Sequence, residues 1–365
     1  MKTSHIKKWL KFIKVKNKIN KFGDKNQNRV LLTMTDGLGD LISRWNLVDK
    51  IVTSEQIKGN TVCILIKERI SEVYKFLDTK NTVVLFDKLE NEKNVDKLVK
   101  ELNDLNSLGF RKIYHLEFGG NNRFLRLIKA KESIAFFNYS HSEMNKGVGK
   151  LINVFPEKNI YFDVQNYYYE LFKEKSSIDE LTAPLFGNLN RGSVEKVNIS
   201  IGVGANYIGR MASSKKLAKI IEVIYQEYPN ITITLIGKGS FDQEYADEII
   251  KNIREGISIK NKVNLFDTQE LINQLQSSDI YIGYDSGIYN LAFRLGVKCI
   301  CLAGGVHDRY EHDGISTSVI VIKSKTRIEN KKNSYYPYHP FLEELDETLV
   351  IEAIDKLFSN QEIER

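Results

Sequence analysis

The chain has 365 residues, of which 42% are hydrophobic and 27% charged. That excludes disordered and collagen-like classes and suits two domains of roughly 100–200 residues each. Its three cysteines, Cys63, Cys299 and Cys301, show no C-x-x-C spacing, so they form neither a disulfide scaffold nor a zinc signature and suit a reducing compartment. The net charge of +6 is uneven: residues 1–22 hold eight lysines and no acid, and the remainder carries 45 basic against 47 acidic residues. A body so close to neutral gives no compositional support for a nucleic-acid partner.

Residues 1–25 form a basic amphipathic segment in which Ile6, Trp9, Leu10, Phe12 and Ile13 alternate with lysines at near-helical spacing. The pattern predicts either a helix lying on an anionic membrane surface through residues 1–22, apolar side down, or a solvated helix packing Trp9 and Leu10 on its own protein. Lys11 and Lys14 interrupt any secretory apolar core. No stretch is long and apolar enough to span a bilayer as a helix.

Strand runs follow at Val30–Met34, Thr61–Lys67, Thr82–Phe86, Lys112–Leu116 and Ile134–Phe137. Helical patterns lie between them at Leu41–Ile51, Ser71–Leu77 and Val95–Leu105. Short apolar strands separated by helices indicate a parallel sheet with crossover helices, here over residues 26–165. The alternation lapses over 166–195, where Tyr167-Tyr168-Tyr169 reads as the opening of a helix and Pro184, Gly187 and Gly192 mark a linker. A second alternation fills 196–330. Its strands are Val197–Val203, Ile231–Ile236, Ile280–Tyr284 and Cys299–Leu302, and its helices Ser214–Tyr228, Gln243–Ile253, Leu271–Gln276 and Ile288–Leu295. Residues 331–365 carry a terminal amphipathic helix, Phe341–Phe358. The fold class expected is α/β, with two Rossmann-like doubly wound parallel-sheet domains facing across a cleft. Ligands of such sheets bind beyond the strands' carboxyl ends, so the loops after strands matter most.

Three of these loops stand out. Asp36-Gly37-Leu38-Gly39-Asp40 turns tightly from strand to helix and leaves Asp40 at the helix start, either as a capping carboxylate or as a reactive acid. Gly202-Val203-Gly204-Ala205-Asn206-Tyr207-Ile208-Gly209-Arg210 brings small residues and one guanidinium, a group able to hold two phosphate oxygens. Tyr284-Asp285-Ser286-Gly287 opens a helix whose first amides suit a diphosphate or an ordinary N-cap. Tyr207 and Asp242 occupy the third glycine positions of the two candidate dinucleotide fingerprints, which argues against hydride transfer. No Asp-x-Asp, Walker, HExxH or GxSxG motif occurs. His307-Asp308 and His312-Asp313 lie in a loop between Gly304 and Gly314 that reads as cleft lining rather than as a metal site.

Taken together, these blocks resemble the bacterial heptosyltransferase-like glycosyltransferases of family 9, with GT-B architecture, over most of residues 29–310. The matching blocks are Gly39-Asp40, Leu116-Glu117-Phe118-Gly119-Gly120 with Arg123, Gly204-Ala205-Asn206 through Arg210, and Asp285-Ser286-Gly287 followed by Leu291-Ala292 and Leu295-Gly296. The resemblance implies an inverting transfer of a sugar, heptose or another, from an ADP- or other nucleotide-diphosphate donor. The acceptor implied is a lipopolysaccharide core or other cell-surface glycan, lipid-linked or oligosaccharide, at the cytoplasmic membrane face. It implies no metal and no cofactor beyond the donor substrate. Asp40 would be the general base, held in a loop with Gly39. Arg210, Asp285, Ser286 and Gly287 would hold the diphosphate beside Gly204, Asn206 falls where the family carries a hydroxyl, and Asp242 would face the ribose. The sequence departs from the pattern at Met34, Ala212 and Ile288-Tyr289-Asn290. Two other functions suit the same architecture: a nucleotide-sugar epimerase, and a non-catalytic subunit that binds nucleotide or glycan.

Overall fold

The computed structural model describes residues 3–20, 28–78, 80–89, 92–117, 123–137, 150–153, 160–185, 197–205, 208–303, 316–323 and 338–363. The chain forms two compact units. The first comprises Met1–Gly37, Arg44–Pro156 and Asp163–Lys175; the second comprises Leu38–Ser43, Glu157–Phe162 and Ser176–Arg365.

The first unit opens with α1 (Thr3–Lys18). Its sheet contains β1 (Arg29–Met34), β2 (Thr61–Ile66), β3 (Val83–Phe86), β4 (Phe110–His115), β5 (Ala130–Phe137) and β6 (Lys150–Asn153), in spatial order β3-β2-β1-β4-β5-β6. All its pairings are parallel. The first two strands are buried along almost their whole length, which is why they read as continuous apolar runs rather than as alternations. The crossovers carry α3 (Trp45–Ile57), α4 (Ser71–Leu77) and α5 (Val95–Ser107). Asn94 caps α5 by accepting from the Asp96 and Lys97 amides.

α1 packs on this unit, with Val15 fully buried in its core and Phe12 packed against the same cluster. Lys11 donates to the Glu92 carbonyl and Lys18 to Asp96. Phe12 and Val15 of that helix therefore face the first unit rather than a membrane. Leu10 remains 47% exposed. No described helix is long and apolar enough to cross a membrane.

α6 (Ile160–Phe172) bridges the two divisions of the chain. Tyr167-Tyr168-Tyr169 lies in its second half rather than opening it. A short α7 (Ile178–Thr182) follows, fixed by a capping box between Ser177 and Glu180.

The second sheet contains β7 (Val197–Gly202), β8 (Ile231–Ile236), β9 (Ile259–Asn261), β10 (Ile280–Tyr284), β11 (Lys298–Ala303) and β12 (Val319–Lys323), ordered β12-β11-β10-β7-β8-β9 and again wholly parallel. Its helices are α8 (Ser214–Glu227), α9 (Ser240–Asn252), α10 (Thr268–Gln276) and α11 (Gly287–Arg294). The expected terminal helix is two helices, α12 (Pro340–Glu343) and α13 (Thr348–Ile363). Asp346 accepts from the Thr348 amide and hydroxyl, so a fresh N-terminal cap interrupts the apolar periodicity there.

In each sheet the strand order reverses beside the first strand, between β1 and β4 and between β7 and β10. Loops leaving a parallel sheet on opposite sides of such a point open a crevice at its carboxyl edge. That places Thr35, Asp36 and Glu117 in the first unit, and Gly204, Arg210 and Asp285 in the second, where ligands of such folds bind.

Candidate functional site

At the reversal in the second unit, strand burial carries the chain to the sheet edge and small residues let it turn. Arg210 ends a short 3-10 turn, Ile208–Arg210, after β7. Its Nη1 lies 3.3 Å from Asp285 Oδ2, the first residue after β10. The two expected diphosphate loops are thus joined by an ion pair, with both side chains about a quarter exposed. Ser286 caps α11, accepting from the Tyr289 amide at 3.3 Å. The remaining first-turn amides give α11 a partial positive end suited to an anion.

Asp242 stands in the first turn of α9 and accepts from the Lys238 amide at 2.9 Å. Its carboxylate lies against Gly204: a Cβ on that glycine would be 2.2 Å from Oδ2. Gly204 is therefore required by close approach. Burial raises the Asp242 pKa, and the Lys238 amide opposes the rise. The loop after Arg210 is braced from behind. Tyr245 donates to the Ala212 carbonyl at 2.7 Å, the His339 amide to the Met211 carbonyl at 2.9 Å, and Ser213 Oγ to Glu343 at 2.8 Å.

Asp40 lies in the first turn of α2 (Leu38–Ser43), which belongs to the second unit although it follows β1 in sequence. α2 packs on α11, so Gly39, Asp40, Ser286 and Gly287 are carried on two touching helices. The structure brings together Gly39, Asp40, Ser286 and Gly287 on that pair, and Gly204 with Asp242 and Arg210 with Asp285 on the adjoining loops. Asn206 and the loop holding His307, Asp308, His312 and Asp313 lie outside the described residues. Among the described residues no group of three His, Cys, Asp or Glu side chains is placed to hold a metal.

The first unit holds a second polar cluster at its own reversal point, where sequence reasoning assigned no role. Glu117, just beyond β4, accepts from Thr33 Oγ1 at 2.9 Å and lies 3.4 Å from both the amide and the hydroxyl of Thr35. Burial, reinforced by the Asp36 charge, pushes the Glu117 carboxyl up to about 7. His115, which shares Thr33 at 3.1 Å, is held neutral by burial and the Arg126 charge, its pKa pushed down to about 3. Arg44 is fully buried. It donates to Asp36 at 3.0 Å and to the Leu116 carbonyl at 2.8 Å, tying the ends of β1 and β4 together. The single helix expected over Leu41–Ile51 breaks here, since Arg44 leaves helical geometry with φ −100° and ψ 5°. The readable signal was a cation at an apolar phase of that pattern, between Leu41-Ile42 and Trp45.

No family model matches the sequence. A curated relative, lipopolysaccharide heptosyltransferase 1 of Campylobacter coli, is 32% identical over 149 residues. That stretch is 40% of this chain and 42% of the relative, so the chain spans less than half of that protein's length. Among solved structures, a family 9 glycosyltransferase from Veillonella parvula superposes with a TM-score of 0.68 at 15% identity, covering 94% of this chain and 99% of that one. Escherichia coli ADP-heptose lipopolysaccharide heptosyltransferase II gives 0.65 at 14% identity over 92% and 99%. The chain has the heptosyltransferase fold. The E. coli heptosyltransferase WaaC, solved with ADP-2-deoxy-2-fluoro heptose, also matches, with a TM-score of 0.63 at 12% identity over 90% and 99%. Those identities support the two-sheet architecture itself.

Proposed function

We propose that the chain is an inverting, metal-independent glycosyltransferase. It would transfer a sugar, heptose by likeness to its relatives, from a nucleotide diphosphate to a lipopolysaccharide core or related cell-surface glycan. The observation that carries this reading is the Arg210–Asp285 pair, which joins the two loops at the reversal point of the second sheet, next to the capped start of α11. A diphosphate placed there meets a guanidinium able to bind two oxygens and the free amides of a helix start. Both groups favour the charge that develops on a departing nucleoside diphosphate. Asp242, seated against Gly204, offers an acceptor to ribose hydroxyls.

Asp40 is the group we assign as general base, removing the proton of the attacking hydroxyl while the donor's glycosidic C–O bond breaks on the opposite face. Attack from the face opposite the leaving group inverts the anomeric centre. Arg210 and the α11 amides take over the charge-neutralising task a cation performs elsewhere, and the chain lacks the Asp-x-Asp motif that would hold one.

We also place the enzyme on the cytoplasmic membrane face, beside a lipid-linked acceptor. The exposed Lys14 and Lys16 of α1, with the exposed Leu10, would meet anionic headgroups. Thermal-shift measurements against ADP-, UDP-, GDP- and CDP-sugars test the donor site: one class should raise the melting temperature and Arg210→Ala should remove that rise. No rise with any of them would refute the nucleotide-sugar assignment.

A further inference from the structure

α2 is six residues long. An isolated helix of that length is unstable in water, because nucleation costs more than so few hydrogen bonds return. Its position must therefore come from what it touches. At its N-terminal end the contact with α11 is made by glycine on each side. A Cβ on Gly39 would stand 2.9 Å from Asn290 Nδ2 and 3.8 Å from the Gly287 Cα, and a Cβ on Gly287 would stand 2.8 Å from the Leu38 Cβ. At its C-terminal end one carbonyl of α2 meets a cation: Arg294 Nη1 lies 3.5 Å from the Ile42 carbonyl oxygen. Arg294 and Asn290 are 1% and 2% exposed. They stand four residues apart, hence on one face of α11.

Asn290 has a second attachment, donating from Nδ2 to the Ser286 carbonyl at 3.0 Å. Its Oδ1 is buried with no hydrogen-bond partner among the described residues. An orphaned buried acceptor is costly, so this amide is not placed to complete a hydrogen-bond network of its own. Its Nδ2 also stands against Gly39, the residue before Asp40.

We propose that Asn290 and Arg294 are positioning residues that dock α2 on α11 and so fix Asp40 against the helix start formed by Ser286 and Gly287. The acid is then held by the unit that binds the donor, although it follows β1 of the other unit in sequence. This rests on the assignment of Asp40 as base and of Ser286 as part of the diphosphate site. Asn290 packs against the N-terminal turn that carries Asp40, and Arg294 holds the far end. Neither touches substrate; they act by keeping the base in register with the departing group, where a displacement near 1 Å costs on the order of a hundredfold in rate.

The test uses the full-length protein with Asn290→Ala, Arg294→Gln and Arg294→Lys, and two readouts. The first is amide hydrogen exchange over residues 38–43, which requires no activity. The second is turnover set against the dissociation constant of the donor nucleotide sugar. Asn290→Ala should accelerate exchange across α2 and lower kcat tenfold or more, while donor affinity stays within twofold. Arg294→Gln, which removes the charge, should do the same, and Arg294→Lys, which keeps the positive charge, should recover part of both. Unchanged exchange in Asn290→Ala would overturn the docking role. Faster exchange with unchanged kcat, or equal losses in kcat and donor affinity, would overturn the positioning role. Full activity in Asp40→Asn would instead refute the base assignment, and the exchange measurement would still report on the docking.

Discussion

Replacing Glu117 by glutamine should change how the first unit's stability depends on pH. An ordinary glutamate releases its proton near 4.5, whereas this one keeps it to about 7, through burial and the adjacent Asp36 charge. Between those values the folded chain holds a proton that the unfolded chain has lost. Stability must therefore fall as pH rises from about 4.5 to about 7, and level off above that. At ~1.4 kcal/mol per tenfold change in proton affinity, Glu117 costs the fold somewhat under 1 kcal/mol at pH 5 and roughly 3 kcal/mol at pH 8. Glutamine carries no such dependence, so the variant should gain roughly 2–3 kcal/mol on the wild type between those two pH values. His115 works in the opposite sense. Held neutral in the fold with its pKa near 3, it makes stability fall as pH drops from 6.5 toward 3. It is present in both proteins and cancels in the comparison, as do Arg44 and Arg126. Both tryptophans, Trp9 and Trp45, belong to the first unit, so urea unfolding followed by tryptophan fluorescence reads the relevant transition. Parallel wild-type and Glu117→Gln stabilities at pH 5 and pH 8 would refute the idea of a buried, protonated Glu117.

Arg210→Ala should weaken donor binding by about 1.5–3 kcal/mol, roughly 10- to 150-fold, the worth of a charged hydrogen bond, as read by calorimetric titration; an unchanged dissociation constant would remove Arg210 from the diphosphate site. Gly204→Ala forces a methyl group to within 2.2 Å of the Asp242 carboxylate, so donor affinity should fall while the first unit's urea transition stays in place. Lys14→Gln with Lys16→Gln should weaken binding to anionic vesicles by about 2 kcal/mol, at ~1 kcal/mol per lysine; unaltered sedimentation with vesicles would place any membrane contact elsewhere. Deleting residues 1–22 is a poorer probe, because it also strips Val15 from the core of the first unit and should lower that unit's unfolding midpoint.

Central parallel strands were legible because burial on both faces writes an uninterrupted apolar run; Ile231–Ile236 and Ile280–Tyr284 match to the residue. The edge strands β6, β9 and β12, three to five residues long, were not. At Arg44 periodicity carried only a hint, a cation at an apolar phase; its partners Asp36 and Leu116 come together only in the folded chain. The same distinction holds at the site. Residues that follow strands, such as Arg210 and Asp285, were visible because topology forces them to the sheet edge. Glu117, Asn290 and Arg294 act through neighbours up to 252 positions away, a separation no local pattern records. Asp40 was visible in sequence, but its attachment to α11 was not, because the chain leaves one unit between Gly37 and Leu38 and returns by Arg44.

The most direct test of the proposed chemistry is to incubate a nucleotide sugar with core oligosaccharide acceptor and follow nucleoside diphosphate and glycosylated acceptor together, for the wild type and for Asp40→Asn. The account predicts equal amounts of both products from the wild type, with an inverted anomeric linkage. It predicts neither product from Asp40→Asn, although that variant should bind the donor with nearly wild-type affinity. Undiminished transfer by Asp40→Asn, or nucleotide release without a glycosylated acceptor, would contradict it.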